Sequence, residues 1–281
     1  MTHTTVQNSD ISLAASVHGD AAAPPVLLLH GLSSSRDTWD EAVLRLADKF
    51  QMWTIDLRGH GHSEHSDSYV LGDYVTDAAA ALDVIGRPTI VVGHSLGAVI
   101  AGALGQASHP LVRAVFLEDP PWYMGERSEW EKGIFRTVFP ILRDQQIEMQ
   151  ERSAPLTEWI DVSTSAPSPK GGVFADHVSS RHVMATASAR MRHDPLAWDA
   201  AINHDVFAEL VADDPIAVPL KLVRADPTLG PAFMAEHVDR FLASNPHADI
   251  VEYGGAPHGI HASNEHAERF LDDLASFLTE P

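Results

Sequence analysis

The stretch Thr89-Ile90-Val91-Val92-Gly93-His94-Ser95-Leu96-Gly97-Ala98-Val99-Ile100 carries the most structural information in this chain. Its first four residues form a short apolar run of the kind that fills a strand buried on both faces. From Ala98 to Ser108 the residues are small and apolar, and the spacing predicts a helix. Between strand and helix stands a G-x-S-x-G pentad, Gly93 to Gly97. A sharp strand-to-helix turn there holds the central serine in a strained conformation with its hydroxyl exposed. Glycines on either side let neighbouring backbone pass without a Cβ clash. The helix N-terminus presents free N–H groups and partial positive charge to an oxyanion formed at that serine. Ser95 therefore reads as a nucleophile.

The rest of the first half alternates strands with helices. Val6–Val17 reads as a pair of strands, Val26–His30 as a buried strand ending at Gly31, and Asp40–Phe50 as a helix. Met52–Asp56 follows as a strand, Val75–Ile85 as an Ala-rich helix and Val112–Leu117 as a further strand. This alternation implies right-handed crossovers and a doubly wound, mostly parallel sheet. At Pro120-Pro121 the rhythm breaks. Ser128–Gln150, with an interruption at Pro140, His177–Met191 and Pro195–Ile202 look helical, and Ala154–Gly172, rich in Pro, Ser and Thr, reads as a connector. The α/β pattern resumes with Leu220–Val223, Ala232–Ser244, Asp249–Tyr253 and His266–Leu278. Residues 1–121 and 204–281 are thus expected to form one α/β core, with residues 122–203 inserted as a helical lid.

That insert holds Trp122, Trp130, Trp159 and Trp198 together with Met124, Met149, Met184 and Met191. Most of these must fasten the lid to the core. Aromatic and Met side chains also suit adaptable apolar ligands, so Trp122, Tyr123, Met124, Trp159 and Met184 are the expected substrate contacts.

Composition narrows the function. The 281 residues include no cysteine, which excludes disulfides, thiolate zinc sites and a thiol nucleophile. A net charge of −20 repels phosphate backbones and anionic lipid surfaces, so neither nucleic acid nor membrane is an expected partner. Met1–Asp10 lacks a basic, then apolar, leader, and no apolar run approaches the roughly 20 residues of a membrane span. The expectation is a soluble cytoplasmic protein, a monomer or homodimer, acting on a small molecule. There is no phosphate-loop or H-E-x-x-H motif, and no cofactor or metal is expected. The histidines of Gly59-His60-Gly61-His62-Ser63-Glu64-His65 sit on a Gly-rich loop without a matching ligand pattern, a weak metal signal.

Taken together, the motifs resemble those of α/β-hydrolases, over nearly the whole chain. His30-Gly31-Leu32 with Trp39 is similar to the family's oxyanion turn, and Asp56-Leu57-Arg58-Gly59-His60-Gly61-His62-Ser63 to its D-x-R-G-H-G-x-S loop, read here as structural. By that resemblance the backbone N–H groups of Leu32 and Leu96 form an oxyanion hole. His258, in Gly254-Gly255-Ala256-Pro257-His258, is the general base, and His261 is a core or rim residue. The acid is open. Glu118, at the end of the strand before the lid, resembles the catalytic glutamate of zearalenone lactonases and is the first choice. Asp226, near the usual family position, is the second, and Asp119 the third. The resemblance implies hydrolysis of an ester or lactone with an apolar or aromatic part through an acyl-enzyme. Alternatives are C–C bond hydrolysis of diketone-like substrates, cofactor-free perhydrolysis, and a non-catalytic receptor-like binding module.

Overall fold

The apolar runs become the middle of one eight-stranded sheet in the computed structural model, which describes residues 1–9 and 11–280. Its strands are β1 (Thr2–Asn8), β2 (Ile11–His18), β3 (Pro25–Leu29), β4 (Gln51–Ile55), β5 (Thr89–His94), β6 (Val112–Glu118), β7 (Leu220–Arg224) and β8 (Asp249–Glu252). They lie in the order β1-β2-β4-β3-β5-β6-β7-β8. β1 and β2 pair antiparallel, as do β2 and β4, and every later pairing is parallel.

Helices α1 (Asp40–Leu46), α2 (Leu71–Ile85) and α3 (Leu96–Gln106) connect the first strands. Five α-helices intervene between β6 and β7: α4 (Arg127–Lys132), α5 (Phe135–Glu151), α6 (Leu156–Ser165), α7 (Ser180–Arg192) and α8 (Pro195–Ile202). α9 (His237–Ser244) and α10 (Ala267–Thr279) complete the chain. The sheet separates two apolar layers, and β3 shows how. Leu27 and Leu29 pack toward α2 and α3, whereas Val26 and Leu28 pack toward α1 and α10, the period-two alternation of a strand covered on both faces. Each such fully buried side chain stabilises the fold by roughly 1.5–3 kcal/mol.

Two expectations fail within the insert. Pro140 lies inside α5 without interrupting it, and the break falls at Gly133-Ile134, between α4 and α5. Ala154–Gly172 is not a plain connector, because α6 runs through it. Pro155 stands just outside that helix, where a missing N–H costs nothing. Trp159 then packs against Met149 and Ala187, and this tertiary burial overrides the modest helix propensity of the Ser and Thr residues.

The chain order reverses at β3. β4 lies on one side of it and β5 on the other, so the crevice between the ends of β3 and β5 is where an open α/β sheet binds ligands. Leu29 pairs with Gly93 across these strands, which sets the His30-Gly31-Leu32 turn beside Ser95.

Candidate active site

Ser95 has φ 53° and ψ −116°, a left-handed conformation that costs roughly 1–3 kcal/mol and needs its surroundings to hold it. Three hydrogen bonds do so: Ser95 N–H donates to Glu118 O at 2.9 Å, and Ser95 O accepts from Ala98 at 3.0 Å and Val99 at 3.1 Å. The flanking glycines are there for space. A Cβ on Gly93 would stand 2.1 Å from Gly97 O, and one on Gly97 would stand 2.2 Å from Leu29 O. The Ser95 hydroxyl has no hydrogen-bond partner among the described residues.

Leu96 is the first residue of α3, so its N–H has no acceptor inside the helix. Neither that N–H nor the one of Leu32 is donated to any acceptor among the described residues. Two buried histidines shape the Leu32 turn. His30 Nδ1–H donates to Gly31 O (2.8 Å) while its Nε2 accepts from Leu57 N–H (3.0 Å). His60 Nδ1–H donates to Arg58 O (2.7 Å), and its Nε2 accepts from Ser33 N–H (3.1 Å). Burial pushes His30 down to about 4 and His60 well below its ordinary value, so both rings stay neutral and keep one nitrogen as an acceptor. The D-x-R-G-H-G-x-S loop is thus structural: Arg58 forks onto Asp77 (2.7 and 2.9 Å), and Asp56 takes Arg36 (2.5 Å) and the N–H of His62 (2.9 Å).

His258 Nδ1–H donates to Asp119 Oδ2 at 2.6 Å. Asp119 is fully buried and also accepts from the N–H groups of Ala232 (2.8 Å), Ala225 (3.2 Å) and Phe233 (3.3 Å). Four donors match the four lone-pair sites of a carboxylate. With Nδ1 committed, His258 keeps a lone pair on Nε2, the atom that can take a proton from a serine hydroxyl. Its ring is 23% exposed, and the Phe135 ring stands edge-on to it at 5.2 Å.

Neither of the two carboxylates expected first to meet His258 does so. Glu118, fully buried as the last residue of β6, accepts instead from His261, from the ring Nδ1–H at 2.7 Å and the backbone N–H at 2.9 Å. The next residue leaves the strand at φ 42°, and that turn carries the Asp119 side chain to His258. Asp226 accepts from the Thr228 hydroxyl (2.6 Å), Thr228 N–H (2.8 Å) and Gly255 N–H (2.7 Å), which hold its carboxyl at about 2. It closes a turn. The segment after β7, the usual family place for the acid, supplies backbone donors to Asp119 instead.

A small cavity of about 10 Å³ adjoins Ser95, lined by Leu32, Leu96, Pro121, Met124, Phe135 and Phe139 among others. Ala201, Val206 and Phe207 complete its wall, and no charged side chain lines it. Of the five expected contacts only Met124 lies there. Trp122 is spent on the core, its Nε1–H donating to Ala212 O (2.9 Å) beside Phe241. Tyr123 is buried in the core under the Arg240 guanidinium, Trp159 is buried with Met149 and Ala187, and Met184 is 46% exposed. Composition showed that the insert is rich in aromatics; only the packing shows which face of each helix meets the cavity. Among the described residues no group of three His, Cys, Asp or Glu side chains could hold a metal ion, and no helix is long and apolar enough to cross a membrane.

Comparison with known proteins agrees with this geometry at the level of family. A 2-(acetamidomethylene)succinate hydrolase of Mesorhizobium japonicum is 33% identical over 105 residues, 37% of this chain and 38% of the relative. A pimeloyl-[acyl-carrier protein] methyl ester esterase of Methylococcus capsulatus is 35% identical over 107 residues, 35% of this chain and 41% of the relative. The chain thus aligns with about two fifths of the length of these relatives. Among solved structures, a bromoperoxidase from Bacillus anthracis superimposes with a TM-score of 0.78 at 16% identity, covering 99% of this chain and 100% of that one. The enol-lactonase from Burkholderia xenovorans LB400 gives 0.70 at 18% identity, covering 99% and 100%. At those identities the likeness is one of fold. The model of the alpha/beta hydrolase family matches residues 26–273, and the chain belongs to that family.

Proposed function

We propose that the protein is a serine hydrolase that cleaves small, uncharged carboxylic esters or lactones through an acyl-enzyme on Ser95. The observation that carries this reading is the 2.6 Å bond between His258 and the buried Asp119, in a chain whose Ser95 stands on a strained elbow with its hydroxyl unbonded among the described residues. In this mechanism His258 Nε2 takes the Ser95 proton as the oxygen attacks the carbonyl, and the new oxyanion is held by the N–H groups of Leu32 and Leu96. His258 then returns the proton to the leaving oxygen. Water repeats the sequence to release the acid. Asp119 stays ionised throughout, keeping the imidazole in its Nδ1–H tautomer.

The cavity lining supports neutral, apolar acyl groups. Leu32, Met124, Phe135, Phe139 and Phe207 offer no counter-charge, so a carboxylate-bearing substrate would lose hydration without a partner. Residues 122–203 act as a lid in this reading, with Phe135 and Phe139 as its inner face. The test is hydrolysis of p-nitrophenyl acetate together with labelling by a fluorophosphonate. Turnover and labelling that both vanish in Ser95→Ala are expected. A protein that neither turns over any of a panel of neutral esters and lactones nor reacts with the probe is a binding module, and the reading fails.

A further inference from the structure

Two neighbouring carboxylates at the end of β6 hold two histidines of one loop: Asp119 holds His258, and Glu118 holds His261. The proposed chemistry uses only the first pair. We propose that Glu118 and His261 form a positioning pair for the base, steadying the loop that carries His258 and placing a negative charge beside its ring when it takes up a proton. This rests on the reading of His258 as the base.

Glu118 grips that loop at two points, the His261 ring (2.7 Å) and the His261 backbone N–H (2.9 Å), three residues beyond His258. Its own backbone carbonyl accepts from Ser95 N–H at 2.9 Å. One residue thus ties the nucleophile's elbow to the base's loop. His94 fills the space between them. Its ring lies 4.8 Å from that of His258 and 5.1 Å from that of His261, and its Nε2–H donates to His258 O at 3.3 Å. Behind His261 the Trp39 ring stacks at 4.4 Å, so the imidazole cannot swing away.

The charge on this assembly follows from what surrounds it. Glu118 is faced by Asp119 just past the end of its strand, His94 on β5, His258 and His261 on the loop, and Tyr253 just past β8. His261 is in turn faced by His182 on α7 and Glu41 on α1. Burial pushes the Glu118 carboxyl up to about 7 and His261 down to about 3. Burial likewise holds His94 far below its ordinary value. Both rings are therefore neutral, and the charge this cluster can add is the negative one on Glu118, half formed at about pH 7 and fuller above it.

The experiment is the pH profile of kcat/KM for p-nitrophenyl acetate, from about pH 4.5 to 9, in wild type and Glu118→Gln. Gln keeps an acceptor for His261 and removes the charge. The expected result is a kcat lower by about 3- to 10-fold at pH 8, an unchanged KM, and an acidic midpoint lower by up to about 0.5 pH unit, since Glu118 loses most of its charge below pH 7. Glu118→Asp should restore the midpoint. A lower Tm with kcat and midpoint both unmoved is the signature of a purely structural pair and overturns the proposal. If Glu118→Gln does not fold, His261→Phe decides, since loss of the ring donor drives the carboxyl to its neutral form and lowers the midpoint too; an unmoved midpoint there overturns the proposal equally. His258→Ala and Asp119→Asn in the same assay separate the two levels. If both retain activity within tenfold, the base reading itself falls. If both collapse while Glu118→Gln behaves as wild type, only the positioning role is lost.

Discussion

Asp119 Oδ2 lies 2.6 Å from His258 Nδ1, while the preceding residue, Glu118, gives its carboxylate to His261. Under the proposed mechanism this relationship makes Asp119 the acid. Removing the acid leaves the imidazole in the wrong tautomer, and in a comparable triad that costs about 10⁴ in kcat. Asp119→Asn is expected to show a loss of that order on p-nitrophenyl acetate. Asp226→Asn, which opens a surface turn, should stay within about tenfold. The opposite ranking would move the acid to the segment after β7.

Much of this was legible in the chain, and the remainder was hidden for a definite reason. Strand β3, the elbow at Ser95 and the loop carrying His258 are local patterns, each written in a few consecutive residues. The choice between Glu118 and Asp119 is not local. It depends on whether the chain continues in the strand or turns to φ 42° at Asp119, against the extended preference of a residue before proline. Asp tolerates that region better than Glu, and this was the one available signal in its favour. The cavity wall was hidden for a similar reason. Phe135 and Phe139 are a helical turn apart and share one face of α5, but which helix face meets Ser95 is set by how α4 to α8 pack. That is a property of the assembled insert and not of any one helix.

The close approach of the oxyanion turn to the elbow gives a second prediction. A Cβ added at Gly31 would stand 2.9 Å from His94 Nδ1 and 3.2 Å from the Ser95 Cβ. Gly31→Ala must therefore push the turn away from the serine by a few tenths of an ångström. Because an oxyanion donor acts only over a narrow range of distance, kcat should fall by about 10- to 100-fold with KM little changed. A Tm drop without any loss of kcat would mean that the Leu32 N–H takes no part.

The cavity predicts how acyl preference can be altered. Phe139 lines the wall and packs against Phe135, Trp130 and Trp198 in the insert. Phe139→Ala opens space toward Ser95 at a stability cost below the roughly 3–5 kcal/mol of a fully buried Phe→Ala change, because Phe139 is only partly buried. The ratio of kcat/KM for p-nitrophenyl hexanoate to that for the acetate should rise by about tenfold. Trp159→Phe, changed in a cluster away from the cavity, should leave the ratio as it is. Equal ratios in wild type and Phe139→Ala would place the acyl group elsewhere.

The buried histidines make the fold sensitive to acid. His30, His60 and His193 are fully buried and His261 nearly so; burial lowers His30 to about 4 and His261 to about 3, and holds His60 and His193 well below the ordinary value. In the unfolded chain these rings bind protons from about pH 6.5 downward, while the folded protein refuses them until lower pH. The unfolded state thus binds more protons across that window, and stability falls as the pH falls. Each ring contributes a loss of up to about 2 kcal/mol between pH 7 and 5. Glu118 works in the other direction, since a carboxyl raised to about 7 binds its proton more readily in the fold than in the unfolded chain. These four rings, with His94 and His182 lowered in the same way, outweigh one carboxyl, and a net loss of at least about 3–5 kcal/mol is expected, seen as a Tm lower by about 6–15 °C or more at pH 5 than at pH 7. His193→Phe keeps a ring beside His60 and Trp198, where His193 now packs at 4.4 and 5.4 Å, and removes one proton-binding group. Its Tm should depend less on pH than that of wild type. A Tm that rises toward pH 5 in wild type would mean these rings already carry charge in the folded protein.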